Sequence, residues 1–251
     1  MRAFKKAIQR VSRWAMAMAL LPVLWVLCHQ IVRMAPSLEK EGFSAWWLYA
    51  AGAAGYLAVE KLIARPMWLY VFGHELTHAV TGLLTGARVH SFKASSKGGE
   101  VHLSKSNVFI ALSPYVVPFY AVVLVLVYAA ARKWWNSPGL LPAFQVGLGA
   151  AIAFHFSHTF SALHFRQTDL KVMGFFLSGV LIAVGNTLII GLLAVCLFQR
   201  TPSLREFALE TTRETGTIYL RGLRVIAAEV KRLTHPPSAG VAAKDLASWT
   251  H

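Results

Sequence analysis

Three ionisable side chains, His74, Glu75 and His78, sit within VFGHELTHAV (residues 71–80), one of the most apolar parts of the chain. On a helix, residues four apart share a face. His74 and His78 therefore offer imidazole nitrogens to one tetrahedral zinc ion, and Glu75 is turned about the axis toward a water at that metal. Zinc lowers the pKa of such a water to roughly 7 and polarises a carbonyl, while the glutamate takes the proton. The chemistry is amide hydrolysis. An ionisable group deep in a membrane span costs about 2 kcal/mol or more unless satisfied, so this cluster argues for a site rather than for drift.

A catalytic zinc needs a third protein ligand and an open position. After His78 the only glutamates are Glu100, in a polar loop, and those beyond Phe198. Asp169, in LHFRQTDLKVMG, is the one acidic residue near the membrane on the C-terminal side. His155 and His158 in AFHFSHTF, together with His164, are rival ligands or lining residues. Counted from Pro66 at ~1.5 Å per residue, His74 and His78 lie roughly 12 and 18 Å from the near boundary, whereas a straight helix from Leu140 carries Asp169 to the far face. Asp169 reaches the metal only if the HFRQTD stretch folds back or unwinds inside the protein.

These residues resemble the site-2 protease family of intramembrane zinc metallopeptidases. The resemblance covers about residues 66–190: FGHELTHAVTGLLTGARV, the polar β-prone loop after it, a Pro-containing span beginning ALSPYVVPFY, and an aspartate some ninety residues beyond the histidines. It implies one zinc per chain held by His74, His78 and Asp169, Glu75 as general base, and transmembrane segments of other membrane proteins as substrates. The chain departs from the family at QTDLK, where an Asn-Pro, Asp-Gly arrangement is usual, and at SPYVVP, where Gly-Pro with a nearby Asn is usual. Buried His and Glu also serve metal or proton transport, and a zinc-binding homologue without activity is a further alternative.

The elements that must position this site are membrane helices. The 251-residue chain is 56% hydrophobic and 14% charged, too apolar for an ordinary soluble domain. Apolar runs at about 15–32, 45–64, 66–85, 108–131, 140–163 and 172–198 each approach or exceed the ~20 residues that cross hydrocarbon as helix. The fold expected is an all-α polytopic membrane protein of about six transmembrane helices. Residues 1–65 supply two of them, 66–198 the metalloprotease core with a polar β-hairpin in 88–107, and 199–251 a basic tail. Gly98 and Gly99 mark the hairpin's turn. SLRE (203–206) matches a capping box that opens an amphipathic helix on the inner leaflet. The small residues of AAGAAG (50–55), and Gly82 with Gly86, have the spacing of helix contacts. Glu60 pairs locally with Lys61 or snorkels.

The net charge of +14 flanks the apolar runs and concentrates at the two ends, which suits anionic lipid and not nucleic acid. Arg2, Lys5, Lys6, Arg10 and Arg13 precede the first run with no acidic residue among them, placing the N-terminus in the cytoplasm. Six crossings return the tail to that side, as in a protein of the bacterial inner membrane. The first run lacks a small-x-small cleavage site and reads as an uncleaved span. Cys28 and Cys196 suggest no disulfide framework.

Overall fold

The computed structural model describes residues 1–40, 43–135, 137–164, 168–197 and 202–235. The segment 236–251, read from the sequence as a flexible end, lies outside the described residues. In chain order the elements are α1 (Arg2–Lys40), α2 (Phe43–Leu62), α3 (Met67–Leu84), β1 (Val89–Ser95), β2 (Gly98–Leu103), α4 (Val108–Val116), α5 (Phe119–Trp134) and α6 (Leu140–His164). A 3-10 turn (Thr168–Lys171), α7 (Phe175–Leu197) and α8 (Leu204–Thr234) complete them. The protein is predominantly helical, with one two-stranded antiparallel sheet.

Among the described residues three helical stretches are long and apolar enough to cross a membrane: Phe4–Met34, Leu140–Leu163 and Phe175–Cys196. A fourth results if α4 and α5 count as one broken span. The structure thus supplies three or four such spans against the six expected. One apolar run, 108–131, is two helices bent by 71°. Val117 precedes Pro118 and is extended (φ −87, ψ 113), because the proline ring excludes the helical conformation there. Two further helices fall short in apolarity, α2 with Glu60 and Lys61 in its last turn, and α3 with the three ionisable residues at its centre.

Packing ties the N-terminal helices to the rest. Ala17 of α1 meets Leu177 and Val180 of α7, and Leu27 and Met34 meet Val195, so α1 and α7 run side by side in the same direction. Between α2 and α6 the backbones touch: a Cβ on Gly52 would stand 1.9 Å from the Val146 carbonyl oxygen, and one on Gly149 1.9 Å from that of Tyr49. Of the two glycines in the AAGAAG stretch, Gly52 makes this approach and Gly55 faces open space. Gly82 and Gly86 do not form the helix contact their spacing suggested. Gly82 receives Leu103 of β2, and Gly86 (φ +76) closes α3 with the bonds Ala87 N–H to Gly82 O and Gly86 N–H to Leu83 O.

The hairpin turns at Ser96 and Lys97, with Ser95 opposite Gly98 and Phe92 opposite Val101, and a register shift at His90. It lies back on α3, Leu103 against Gly82 and Gly99 against Glu75 and Val71.

α8 begins with the expected capping box, Ser203 and Glu206 each bonding the other's backbone N–H. These bonds, chiefly from the Ser203 amide, hold the Glu206 carboxyl below its ordinary pKa. The helix differs from a surface-lying one: Phe207 is buried with Leu27, Met34 and Val195, Glu214 pairs with Arg33 and His29, and Tyr219 O–H donates to the Ala19 carbonyl. α8 therefore doubles back along α1.

Candidate metal centre

Local chemistry at two prolines builds the second wall of the site. Asn107 caps α4 by accepting from the Ile110 N–H at 2.9 Å. Four residues after Ile110 stands Pro114, which has no N–H, so the Ile110 carbonyl is left without its helical donor. His78 Nδ1–H takes it at 2.7 Å, and Ser113 Oγ joins at 3.0 Å. A carbonyl only accepts, so this bond fixes the proton of neutral His78 on Nδ1 and leaves the Nε2 lone pair for a ligand. The bend after Val116 likewise frees the Tyr115 carbonyl, and Asn186 of α7 donates to it at 2.7 Å.

On α3, His74 and His78 stand one turn apart with ring centroids 4.8 Å apart, edge to face. Thr77 O–H bonds back to Gly73 O at 2.6 Å, and Gly73 lets the Tyr120 ring close on the helix. Of the HFRQTD stretch that the sequence required to fold back or unwind, residues 165–167 lie outside the described residues; α6 is described to His164, and Asp169 is carried by the 3-10 turn Thr168–Lys171. Leu170 anchors that turn in the core with Leu112, Tyr115, Ala162 and Ile182, and Ser178 O–H donates to its carbonyl at 3.0 Å. Asp169 Oδ2 then lies 3.6 Å from His74 Nε2 and 3.6 Å from His78 Nε2, and accepts from Tyr115 O–H at 2.9 Å.

The three donor atoms fall within 4.8 Å of one another, the only such group of metal-ligating side chains among the described residues. Ligand atoms ~2.0–2.1 Å from a tetrahedral zinc stand about 3.3–3.4 Å apart, and the two histidine–aspartate spacings of 3.6 Å, within a set whose donors all lie inside 4.8 Å, are close to that. Two imidazoles and a carboxylate are also the donor chemistry zinc takes. The residues present fit the ion. The orientation of His78 by a backbone carbonyl and of Asp169 by a phenol is the outer support that metal ligands need. Among the described residues, His74 Nδ1 is buried without a hydrogen-bond partner.

The rival histidines are engaged elsewhere. His155 Nε2 bonds Asn186 Oδ1 at 3.0 Å, and His158 Nδ1–H donates to Phe154 O at 3.0 Å while its ring stacks on Tyr70. Neither belongs to the cluster. The His164 side chain lies outside the described residues. Glu60 pairs with Arg65 at 2.8 Å and accepts from Ser157 at 2.8 Å, so its partner is not Lys61. His102 pairs with Glu100 at 3.0 Å on the hairpin.

Glu75 lies beside the histidines in an open cleft of about 470 Å³ that is also lined by Asp169, Ile110, Thr168 and β2 from Gly99 to Leu103. Tyr115 is the member that sequence reading missed as a site residue, and Asn186 makes interhelical hydrogen bonds to the Tyr115 carbonyl and to His155. The signal was present: an Ile-x-x-x-Pro spacing inside a helix leaves a carbonyl for a buried donor, and the tyrosine follows that proline directly. Comparison with protein-family models, curated proteins and solved structures gives no match for the chain.

Proposed function

We propose that this protein is a membrane-embedded zinc endopeptidase that hydrolyses peptide bonds in or near transmembrane segments of other membrane proteins. The observation that carries the reading is the convergence of His74, His78 and Asp169 from two distant parts of the chain onto donor atoms within 4.8 Å, with Glu75 in the same cleft. His74 Nε2, His78 Nε2 and an Asp169 oxygen hold one zinc, which when bound supplies a Lewis acid for water and for a substrate carbonyl. Glu75 takes the proton of the attacking water and returns it to the leaving amine, the two halves of general acid–base catalysis. Tyr115 and Ile110 O keep Asp169 and His78 in the orientation that this requires.

A helical substrate hides its amides, so it must open before it is cut. The hairpin supports a way to hold the opened chain. A two-residue turn makes Ser95 and Gly98 a hydrogen-bonded pair, and the antiparallel alternation then makes Phe92 and Val101 a non-bonded one, so the Val101 N–H points off the ladder. The strand that carries it lines the cleft and offers an edge for strand addition.

The setting we infer is a bacterial inner membrane with the basic N-terminus in the cytoplasm, on the positive-inside argument, and the tail on the same side through the return of α8 along α1. Reconstituted wild type should cleave a transmembrane substrate, and Glu75→Gln should lose that activity while retaining its metal. Zinc flux into liposomes without cleavage favours transport, and metal without either activity favours an inactive homologue.

A further inference from the structure

The longest apolar stretch, Phe4–Met34, is 31 residues. At ~1.5 Å per residue it measures about 46 Å against a hydrocarbon core of ~30 Å, so about ten residues overhang. The cations Lys5, Lys6, Arg10 and Arg13 mark its first turns as the overhang. Lys6, Arg10 and Arg13 recur at helical spacing and turn one face toward the start of α7. Between them lies an open cleft of about 510 Å³, with the three cations at one end and Trp14, Phe176 and Leu177 at the other, and no carboxylate in its lining. Trp14 and Phe176 stack with centroids 4.4 Å apart, an aromatic floor at the depth where the span begins. The cleft is basic at its outer end and apolar at its inner end.

We propose that this cleft is a binding site for one anionic glycerophospholipid, its phosphate held by Lys6, Arg10 and Arg13 and its upper acyl chain laid on Trp14 and Phe176. Three observations carry it. The basic end matches a phosphate in charge, and arginine presents several N–H donors in a fixed fork to phosphate oxygens. The apolar end continues in the direction an acyl chain takes, which a free phosphate does not need. Arg13 gives one N–H to the Val172 carbonyl at 3.3 Å, and its guanidinium carries further N–H donors beside the cleft. Val172 N–H in turn bonds Asp169 O at 3.2 Å, so a phosphate that fixes Arg13 also steadies the turn bearing Asp169. The lipid site itself stands independently of whether zinc is bound.

The test uses the full-length protein in nanodiscs of phosphatidylcholine, titrated with phosphatidylglycerol and read by native mass spectrometry after release. Lys6→Gln/Arg10→Gln removes two cleft cations and leaves the Arg13 bond intact. Arg132→Gln/Lys133→Gln removes the same charge at the end of α5. The expected result is one phosphatidylglycerol retained per chain, with affinity lowered about tenfold or more in the cleft variant and less than about twofold in the control. Ten millimolar inorganic phosphate, on the order of a large excess, should not displace it. Equal loss in both variants means only general surface attraction and overturns the site. Equal retention of phosphatidylcholine, or displacement by inorganic phosphate, overturns the lipid assignment.

Discussion

Replacing Gly99 by alanine should disable cleavage without releasing metal. A Cβ built there lies 2.6 Å from Glu75 Cγ, 2.6 Å from Val71 Cγ1 and 2.9 Å from the Lys93 carbonyl oxygen. Carbon atoms settle at ~3.5–4.0 Å, so the contact must open by about 1 Å. The neighbours differ in how they yield. Val71 is a stiff side chain on a packed helix, and the Lys93 carbonyl belongs to the paired strand. Glu75 gives most readily, and its carboxylate moves with it. Overpacking of this kind costs about 1–3 kcal/mol of stability. A catalytic group displaced by ~1 Å costs on the order of 10²-fold in rate. None of His74, His78 or Asp169 contacts the new methyl among the atoms nearest to it. The assay is turnover of a reconstituted transmembrane substrate beside zinc content of the same preparation. A Gly99→Ala protein that cuts at the wild-type rate, or that loses zinc along with activity, refutes the placement of Glu75 beneath the hairpin.

Tyr115→Phe removes the 2.9 Å bond to Asp169 and should weaken zinc binding about 10–100-fold, measured by chelator competition; unchanged affinity would show that the phenol does not support the ligand. Asn186→Ala leaves the Tyr115 carbonyl without its 2.7 Å donor, a loss of about 1–3 kcal/mol, and should lower the unfolding midpoint by several degrees. A midpoint equal to wild type contradicts the tie between α7 and the α4 bend. Val101→Pro removes an N–H from the open strand edge and should slow cleavage while zinc stays bound; normal turnover would exclude strand addition there.

The residues that announce themselves by type were the legible part. His74, Glu75 and His78 stood out because each is costly in an apolar run, and Asp169 because no other acid near the membrane remained. The Ser203–Glu206 box was readable because local bonds define it, and the hairpin because its strands alternate, although the turn falls at Ser96 and Lys97 and the two glycines expected there, Gly98 and Gly99, begin β2. Long-range geometry was not. The run 108–131 looks continuous in hydropathy, and its 71° bend arises from proline sterics that hydropathy does not register. Tyr115 and Asn186 took their roles from that bend, which frees the carbonyl that one carries and the other binds. The docking of α8 on α1 depends on Phe207 filling a gap between α1 and α7, a matter of three-dimensional fit that amphipathic spacing leaves open.

The central claim is that His74, His78 and Asp169 together hold one zinc within the helical bundle. Its most direct test is elemental analysis of purified full-length wild type and Asp169→Ala, after equilibration with limiting zinc and a competing chelator. The claim predicts about one zinc per wild-type chain and a large loss in the variant. Wild type free of zinc, or a variant that retains as much as wild type, contradicts it.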